Sequence, residues 1–161
     1  MRRTASELRD LHGRLGRDLL LGWSGPAGGF ADSDLASTHR PGPRGAVLDL
    51  GVAAEVPQAV QFLVNRLQTR RGELAPLGHP HYGSRHHELV GEPNTERTRN
   101  LVKLHVLEAL RQEPRVSAVL RCVVLTVGRE RDTVRVDLTV RLIERDEPLD
   151  LVLPLLLAGT A

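Results

Sequence analysis

The feature that most constrains this chain is an abrupt change of pattern at Glu113-Pro114-Arg115. Apolar residues at helical spacing precede this tripeptide, and a nearly continuous apolar stretch follows it. Proline lacks a backbone N–H and disfavours the helical conformation in the residue before it. We therefore expect a helix to end here and an extended chain to begin. Residues two apart share a side of an extended chain, so Glu113 and Arg115 should present a carboxylate and a guanidinium together.

Two amphipathic helices are predicted before this point. The first covers about residues 55–70, and the second covers about residues 95–112 with Asn94 or Thr95 as its N-cap. The second helix has too many apolar residues for one narrow stripe. We expect it to be covered on more than one side, by its own sheet or by another chain.

The pattern after Pro114 is typical of strands. Residues 119–127 are almost continuously apolar, as in a central strand, and residues 134–142 alternate apolar with polar, as in a hairpin partner with one wet face. A polar turn over residues 128–132 should join them. A last apolar strand over residues 149–157 contains Pro154 and should therefore lie at a sheet edge or end. The predicted fold class is α+β, with two main helices on one face of a small, mostly antiparallel sheet.

The N-terminal third gives weaker signals. Residues 1–15 form an arginine-rich segment with leucines at helical spacing, which is either a short docking helix or a frayed end. The apolar residues 19–21 with Trp23 suggest a short strand, residues 24–45 read as loop because they are rich in Gly, Pro, Ser and Asp, and residues 47–50 suggest another strand.

Composition excludes several classes of function. The formal net charge is only +2, and aromatic residues make up 2% of the chain, so neither a basic stripe nor a set of stacking rings indicates nucleic-acid binding. Cys122 is the single cysteine, which rules out a disulfide within the chain. No run of 18 apolar residues indicates membrane insertion, and we expect a soluble protein made in the cytoplasm.

A histidine-rich stretch is the densest cluster of titratable residues. It contains His79, His81, His86 and His87. Imidazoles can ligate zinc, but no HExxH or paired-cysteine spacing accompanies them. A polar surface loop is the better interpretation, so neither a metal nor a cofactor is predicted.

Catalytic groups are equally hard to find. A glycosidase needs two carboxyl groups at a fixed separation in a cleft, and the candidate pairs are Glu73 with Glu88 or Glu92 with Glu96. The sequence indicates no cleft around either pair. Cys122 should be buried in a strand without a base, and no G-x-S-x-G turn occurs. We therefore predict that the protein is not an enzyme.

Several motifs occur in an order that resembles one family. They are Thr69-Arg70-Arg71-Gly72-Glu73, then Pro80-His81-Tyr82-Gly83-Ser84, and finally Glu113-Pro114-Arg115 after the second helix. This series resembles the baseplate wedge family of contractile tails, also called phage-W-like or tail-lysozyme-like. The resemblance extends over about residues 47–140. With it we divide the chain into an N-terminal extension (1–45), a wedge-like core domain (46–145) and a C-terminal strand extension (146–161).

The resemblance implies a structural role. Members of the family belong to the inner baseplate of contractile phage tails and injection systems. The implied partners are the larger wedge subunits in their core bundle, the first-ring sheath protein and the inner baseplate or hub proteins. The implied location is the bacterial cytoplasm during assembly and afterwards a tail or tail-like particle. The implied partner-binding residues are Glu113, Pro114 and Arg115.

The resemblance assigns no individual role to the other motif residues. A structural, loop-forming role is expected for Thr69, Gly72, Glu73, Pro80, Tyr82 and Gly83. The lysozyme label of some relatives does not carry over, because no catalytic pair is visible. A small tail-associated peptidoglycan hydrolase nevertheless stays the alternative hypothesis, and a stand-alone adaptor that binds through its strand edge is a third.

Overall fold

The structure is a computed structural model that describes residues 15–24, 32–128, 130–143 and 145–157. Within these ranges it has two α-helices and small antiparallel sheets, so the predicted α+β class is confirmed. The chain forms two compact units, Met1–Phe62 and Leu63–Ala161. The predicted segment at residues 1–14 lies outside the described residues.

Six short strands form the first unit's described sheets. They are β1 (Arg17–Leu19), β2 (Leu21–Ser24), β3 (Asp32–Leu35), β4 (Ser37–Gly42), β5 (Gly45–Leu50) and β6 (Val52–Ala54). They pair as three antiparallel ribbons, β1 with β6, β2 with β3, and β4 with β5. The strands predicted around Trp23 and over residues 47–50 are therefore present.

A ring of three backbone hydrogen bonds joins the ribbons. The Leu20 N–H donates to the Gly51 carbonyl at 2.8 Å, the Gly51 N–H to the Ala36 carbonyl at 2.7 Å, and the Ala36 N–H to the Leu20 carbonyl at 2.8 Å. Each of these three residues lies between the ends of two successive strands. Because every donor and acceptor in the ring is paired, the chain can switch from one ribbon to the next without leaving a backbone group unsatisfied.

The prediction that residues 24–45 are loop is wrong for most of the described part. β3 and β4 lie there, and all of β3 and nearly all of β4 are exposed to solvent. Without a buried face these strands have no alternation of apolar residues that a sequence pattern could reveal. Their extended conformation comes from pairing with β2 and β5 instead.

Helix α1 (Glu55–Gln68) begins where predicted and ends two residues earlier. The boundary between the two units falls within this helix. Its first residue, Glu55, has a φ of 58°, which is unusual for a residue other than glycine. At the other end the Thr69 hydroxyl donates to the Asn65 carbonyl at 2.7 Å.

Helix α2 (Glu96–Arg111) is capped at its start by Thr95, whose hydroxyl accepts the Thr98 N–H at 3.2 Å. One side of the helix is buried, and Leu104 on another side is exposed. The buried residues are Thr98, Val102, His105, Val106, Ala109 and Leu110.

The sheet of the second unit has the order β7 (Val116–Val127), β8 (Glu130–Leu142) and β9 (Leu149–Leu156), all antiparallel. The polar turn predicted over 128–132 is shorter, because β8 already begins at Glu130. Pro154 lies in β9 at the sheet edge, as predicted, opposite Arg135. Alternate residues of β8 and β9 form the buried face and include Val134, Val136, Leu138, Val140, Leu151, Leu153 and Leu155.

Candidate protein-docking site

The Glu113-Pro114-Arg115 corner is a tight turn. The Glu113 N–H donates to the Leu110 carbonyl at 3.1 Å, and the Val116 N–H donates to the Glu113 carbonyl at 3.0 Å. Pro114 occupies the second position of this turn, which suits its fixed φ. The expectation of an extended chain from Glu113 onward is therefore wrong, and the strand begins at Val116.

The Glu113 carboxylate is turned into the protein and is shared by two arginines. Arg66 of α1 donates to Glu113 Oε2 from both Nε, at 3.2 Å, and Nη2, at 3.0 Å. Arg115 donates to Glu113 Oε1 from its side-chain Nε at 2.7 Å and from its backbone N at 3.3 Å. The carboxylate thus accepts four hydrogen bonds, and the corner is fixed to the end of α1.

Burial makes this network sensitive to change. The Arg66 and Glu113 side chains are 8% and 2% exposed, whereas Arg115 is 31% exposed. A buried charge that loses its partner has a large desolvation cost, about 3–5 kcal/mol when one member of a buried pair is removed. Glu113 and Arg66 therefore have a structural part here, and Pro114 and Arg115 form the accessible part of the corner.

Tyr82 forms another side of this site. Its ring centroid lies 4.4 Å from the central carbon of the Arg66 guanidinium, within range of a cation–π contact. Burial raises the pKa of Tyr82 above its ordinary value, although Arg66 acts in the opposite direction. The motif residue Tyr82 is thus a neighbour of the Glu113 network, a contact that sequence spacing did not indicate.

The other motif residues join two loop segments. Ser84 N–H donates to the Thr69 carbonyl at 2.9 Å, and Gly72 N–H donates to the Tyr82 carbonyl at 3.3 Å. Gly83 has a φ of 100°, and a Cβ there would lie 2.6 Å from the Thr69 carbonyl oxygen. This close approach of two backbones explains why glycine is needed at that position.

Glu73 and Pro80 lie on the exposed side of the same loops. The Glu73 carboxylate accepts the backbone N–H of Arg70 at 3.0 Å, which closes the turn after α1. Pro80 is exposed in the turn that leads to Tyr82. The structure therefore brings Thr69, Gly72, Glu73, Tyr82 and Gly83 into one loop assembly. Pro80 marks the outer end of that assembly.

The histidine-rich stretch does not form a uniform surface loop. His86 is buried, with its Nδ1 2.9 Å from the Ser84 hydroxyl and its ring centroid 4.0 Å from that of His87. Burial, with His87 and His105 nearby, lowers the pKa of His86 to about 3. His87 Nε2 lies 3.0 Å from the Leu67 carbonyl in the last turn of α1. Among the described residues, no group of three or more metal-ligating side chains is assembled.

The candidate hydrolase residues have other contacts. Glu88 is exposed and receives two hydrogen bonds from Arg85, and this pairing lowers the pKa of Glu88. A glycosidase acid needs the opposite shift. Cys122 is buried, and burial raises the pKa of its thiol, which disfavours the reactive thiolate.

One open groove of about 400 Å³ lies between α2 and β7. Its charged lining comes from Glu96, Arg99 and Lys103, and Cys122 and Val124 are among the β7 residues that form its other wall. Arg99 is already bonded to Asn94 Oδ1 at 3.0 Å. The groove has one carboxylate and two cations, which is not the carboxyl pair that glycoside hydrolysis requires.

Arg66 is the residue of the docking site that sequence reasoning missed. It lies in α1 beside the buried Leu63, Val64 and Leu67. An arginine within an apolar stripe is the signal that could have found it, because such a cation is retained in a core only with a partner. The partner itself, Glu113, is 47 residues away in sequence.

Comparison with solved structures finds proteins that are similar to this chain. The chain matches a solved structure described as a "putative tail lysozyme" from Geobacter sulfurreducens, with a TM-score of 0.56 and 25% identity. The match covers 68% of this chain and 97% of that chain. No family model matches the chain, and no curated protein does. The likeness supports a tail-related family for this chain.

The structure also bears on membrane association. No helix in the described part of the chain is long and apolar enough to cross a bilayer.

Proposed function

We propose that this protein is a structural baseplate wedge component of a contractile tail or contractile injection system. It acts by protein–protein contacts at the corner formed by Glu113, Pro114 and Arg115. The observation that supports this most is the burial of Glu113 between two arginines. A network that fixes an exposed turn so firmly presents Pro114 and Arg115 to a partner in one geometry, which lowers the entropy lost on binding.

The division of roles within the corner follows from exposure. Glu113 holds the turn, and the accessible side of Arg115 with Pro114 makes the contact. Arginine suits this role because its planar guanidinium can bond a partner's carboxylate or backbone carbonyls while its Nε stays on Glu113. The proposed partner at this corner is a larger wedge subunit, and the inner baseplate and first sheath ring are further proposed neighbours.

Co-purification tests the proposal. Arg115→Ala should reduce retention of the larger wedge subunit at least tenfold, because truncating one member of an interfacial charge contact costs about 2–5 kcal/mol. Arg111→Ala is the matched control, since Arg111 is an exposed arginine at the end of α2 and should not affect retention. Normal retention by Arg115→Ala would contradict the assignment of the corner.

A peptidoglycan hydrolase is the competing function. The arginine-paired state of Glu88 and the bonding of Glu73 to the Arg70 N–H speak against either acting as the acid. Purified protein should release no fragments from peptidoglycan. If it does, and Glu73→Gln or Glu88→Gln abolishes the release, the hydrolase function replaces the structural one.

A further inference from the structure

The ribbons of the first unit have an apolar face that the proposed function does not use. Leu19 and Leu35 each adjoin a residue of the backbone ring, and so do Leu50 and Val52. These four side chains are 41%, 49%, 49% and 52% exposed. We name them the hub face. A group of large apolar side chains around one point of a surface is a usual mark of an interaction site.

The strand pairings and the two-residue spacing across the ring support a common face, because Leu19 and Leu21 flank Leu20, and Leu50 and Val52 flank Gly51. Leu19 lies directly opposite Val52 in one ribbon, and Leu21 lies opposite Leu35 in another. Directly opposite residues project from the same face of a ribbon. Two-stranded ribbons are also marginally stable alone in water, so a partner that covers this face would add stability the ribbons lack.

One strand of each ribbon has backbone donors that are already bonded and so cannot accept a further strand there. The carboxylates of four aspartates each accept the backbone N–H of the next residue, at 2.7–2.9 Å. The four are Asp18, Asp32, Asp34 and Asp49. Strand addition requires free backbone donors at an edge. A partner of the hub face should therefore cover side chains and leave the backbone edges alone.

Charge selects among the remaining partners. The aspartates alternate with the apolar residues and so project from the opposite face, as Asp18 beside Leu19 and Asp49 beside Leu50 illustrate. Among the described strand residues of the ribbons, the charged or titratable ones on the apolar side are Arg17, two residues from Leu19, and His39, opposite Leu48. The described part of this side is therefore apolar, with one arginine and one imidazole beside it. A second copy would bring two arginines together, and one arginine per copy is far fewer cations than a polybasic membrane-binding segment carries.

We propose that the hub face binds an amphipathic helix of another protein, with an apolar stripe against Leu19, Leu35, Leu50 and Val52 and acidic residues beside the stripe. Helical partners bind apolar surfaces through residues spaced i, i+3, i+4 and i+7. Their flanking carboxylates would pair with Arg17 and accept a hydrogen bond from the His39 ring. This inference uses residues of the first unit alone and does not depend on the Arg115 contact.

Site-specific photo-crosslinking in the cells that make the protein tests this proposal. A benzoylphenylalanine is placed at Leu35 or Leu50, and in a matched control at Val47, which is 43% exposed and adjoins Leu48 on the opposite face of β5. The probes at Leu35 and Leu50 should capture a peptide with helical apolar spacing and a net negative charge. The Val47 probe should give at least fivefold less of this product. Arg17→Glu should lower the yield from the Leu35 and Leu50 probes at least fivefold.

Several outcomes would overturn the inference. They are a product with lipid, a product with a second copy of this chain, a product with an extended segment, equal yield from the Val47 probe, and no product at all. Circular dichroism of each purified variant verifies that the fold is retained. Arg115→Ala should leave these yields unchanged, so failure of the corner assignment and failure of this inference can be told apart.

Discussion

At the scale of single residues, Gly83 is a position where the backbone leaves little freedom. Its positive φ and the 2.6 Å approach of a Cβ to the Thr69 carbonyl oxygen act together. Gly83→Ala should destabilise the protein by about 2–4 kcal/mol, because strain and a backbone clash add. Urea denaturation measures this change.

Gly78→Ala is the matched control for that substitution. Gly78 has a similar φ of 85°, but nothing lies within 4 Å of the added Cβ. Gly78→Ala should lower the free energy of unfolding by only about 1–2 kcal/mol, the strain of the left-handed conformation. Equal losses for the two variants would show that the close approach of the two loops has no energetic weight.

The buried network at Glu113 gives a second prediction at this scale. Arg66→Met keeps most of the volume but leaves Glu113 with Arg115 as its remaining arginine partner. We expect a loss of about 3 kcal/mol in the free energy of unfolding. Arg70→Met, at an exposed arginine after the same helix, should change it by less than about 0.5 kcal/mol.

A double-mutant cycle with Glu113→Gln separates pairing from packing. Glu113→Gln should be less harmful in the Arg66→Met background, with a coupling of at least about 1 kcal/mol. Additive losses would mean that Arg66 contributes packing alone.

At the scale of elements, the short 3₁₀ helix His86–Leu89 is held by a histidine that stays neutral. The pKa of His86 is about 3 in the folded protein, against an ordinary value of 6.5. Between these values the unfolded chain binds a proton that the folded chain does not. The free energy of unfolding must therefore fall as the pH is lowered from about 6.5 toward 3.

Denaturation at several pH values measures this dependence. A difference of one bound proton changes the free energy of unfolding by about 1.4 kcal/mol per pH unit. His86→Leu should therefore lower the slope of the free energy of unfolding against pH, between pH 4 and 6, by about that amount. His79→Leu, at an exposed histidine of the same stretch, should leave the slope unchanged. An unaltered slope in His86→Leu would mean that a group other than His86 takes up this proton on unfolding.

The start of helix α2 depends on a single hydroxyl. Thr95 Oγ1 accepts the Thr98 N–H, a donor that otherwise has no partner within the helix. Thr95→Ala should lower the free energy of unfolding by about 1 kcal/mol. Thr95→Ser keeps the accepting oxygen and should lower it by less than half as much. Thermal denaturation of the two variants compares them directly.

At the scale of the whole molecule, the chain is two compact units, and the first depends on the ring at Gly51. A Cβ on Gly51 would lie 3.0 Å from both the Ala36 carbonyl oxygen and Leu20 Cβ. The ring must open to admit the methyl group of Gly51→Ala. Amide hydrogen exchange at residues 20, 36 and 51 should therefore become at least tenfold faster in this variant.

The second unit provides the internal reference for that measurement. Its sheet amides in β7, β8 and β9 should keep their exchange rates in Gly51→Ala. Gly22→Ala is the matched control, since its Cβ would meet only ordinary contacts at 3.8 Å. Faster exchange in both units would contradict a local role for the ring.

What the sequence by itself determined is the part of the protein with regular periodicity. The spacing of apolar residues predicted both helices, Thr95 was one of two named caps, and Pro154 indicated an edge strand, all of which the structure contains. The motif series also indicated a tail-related protein, and the likeness to a solved structure described as a tail lysozyme supports that coarser class. These features depend on neighbours in sequence, which a pattern can report.

Tertiary structure alone decided the rest. Glu113 is buried because Arg66, 47 residues earlier, neutralises it, and His87, the ring neighbour of His86, lies against the Leu67 carbonyl, 20 residues earlier. The ribbons β3 and β4 exist through pairing with other strands, with no buried face to mark them. Each of these outcomes depends on contacts between distant residues, and neither propensity nor spacing encodes which distant groups will meet.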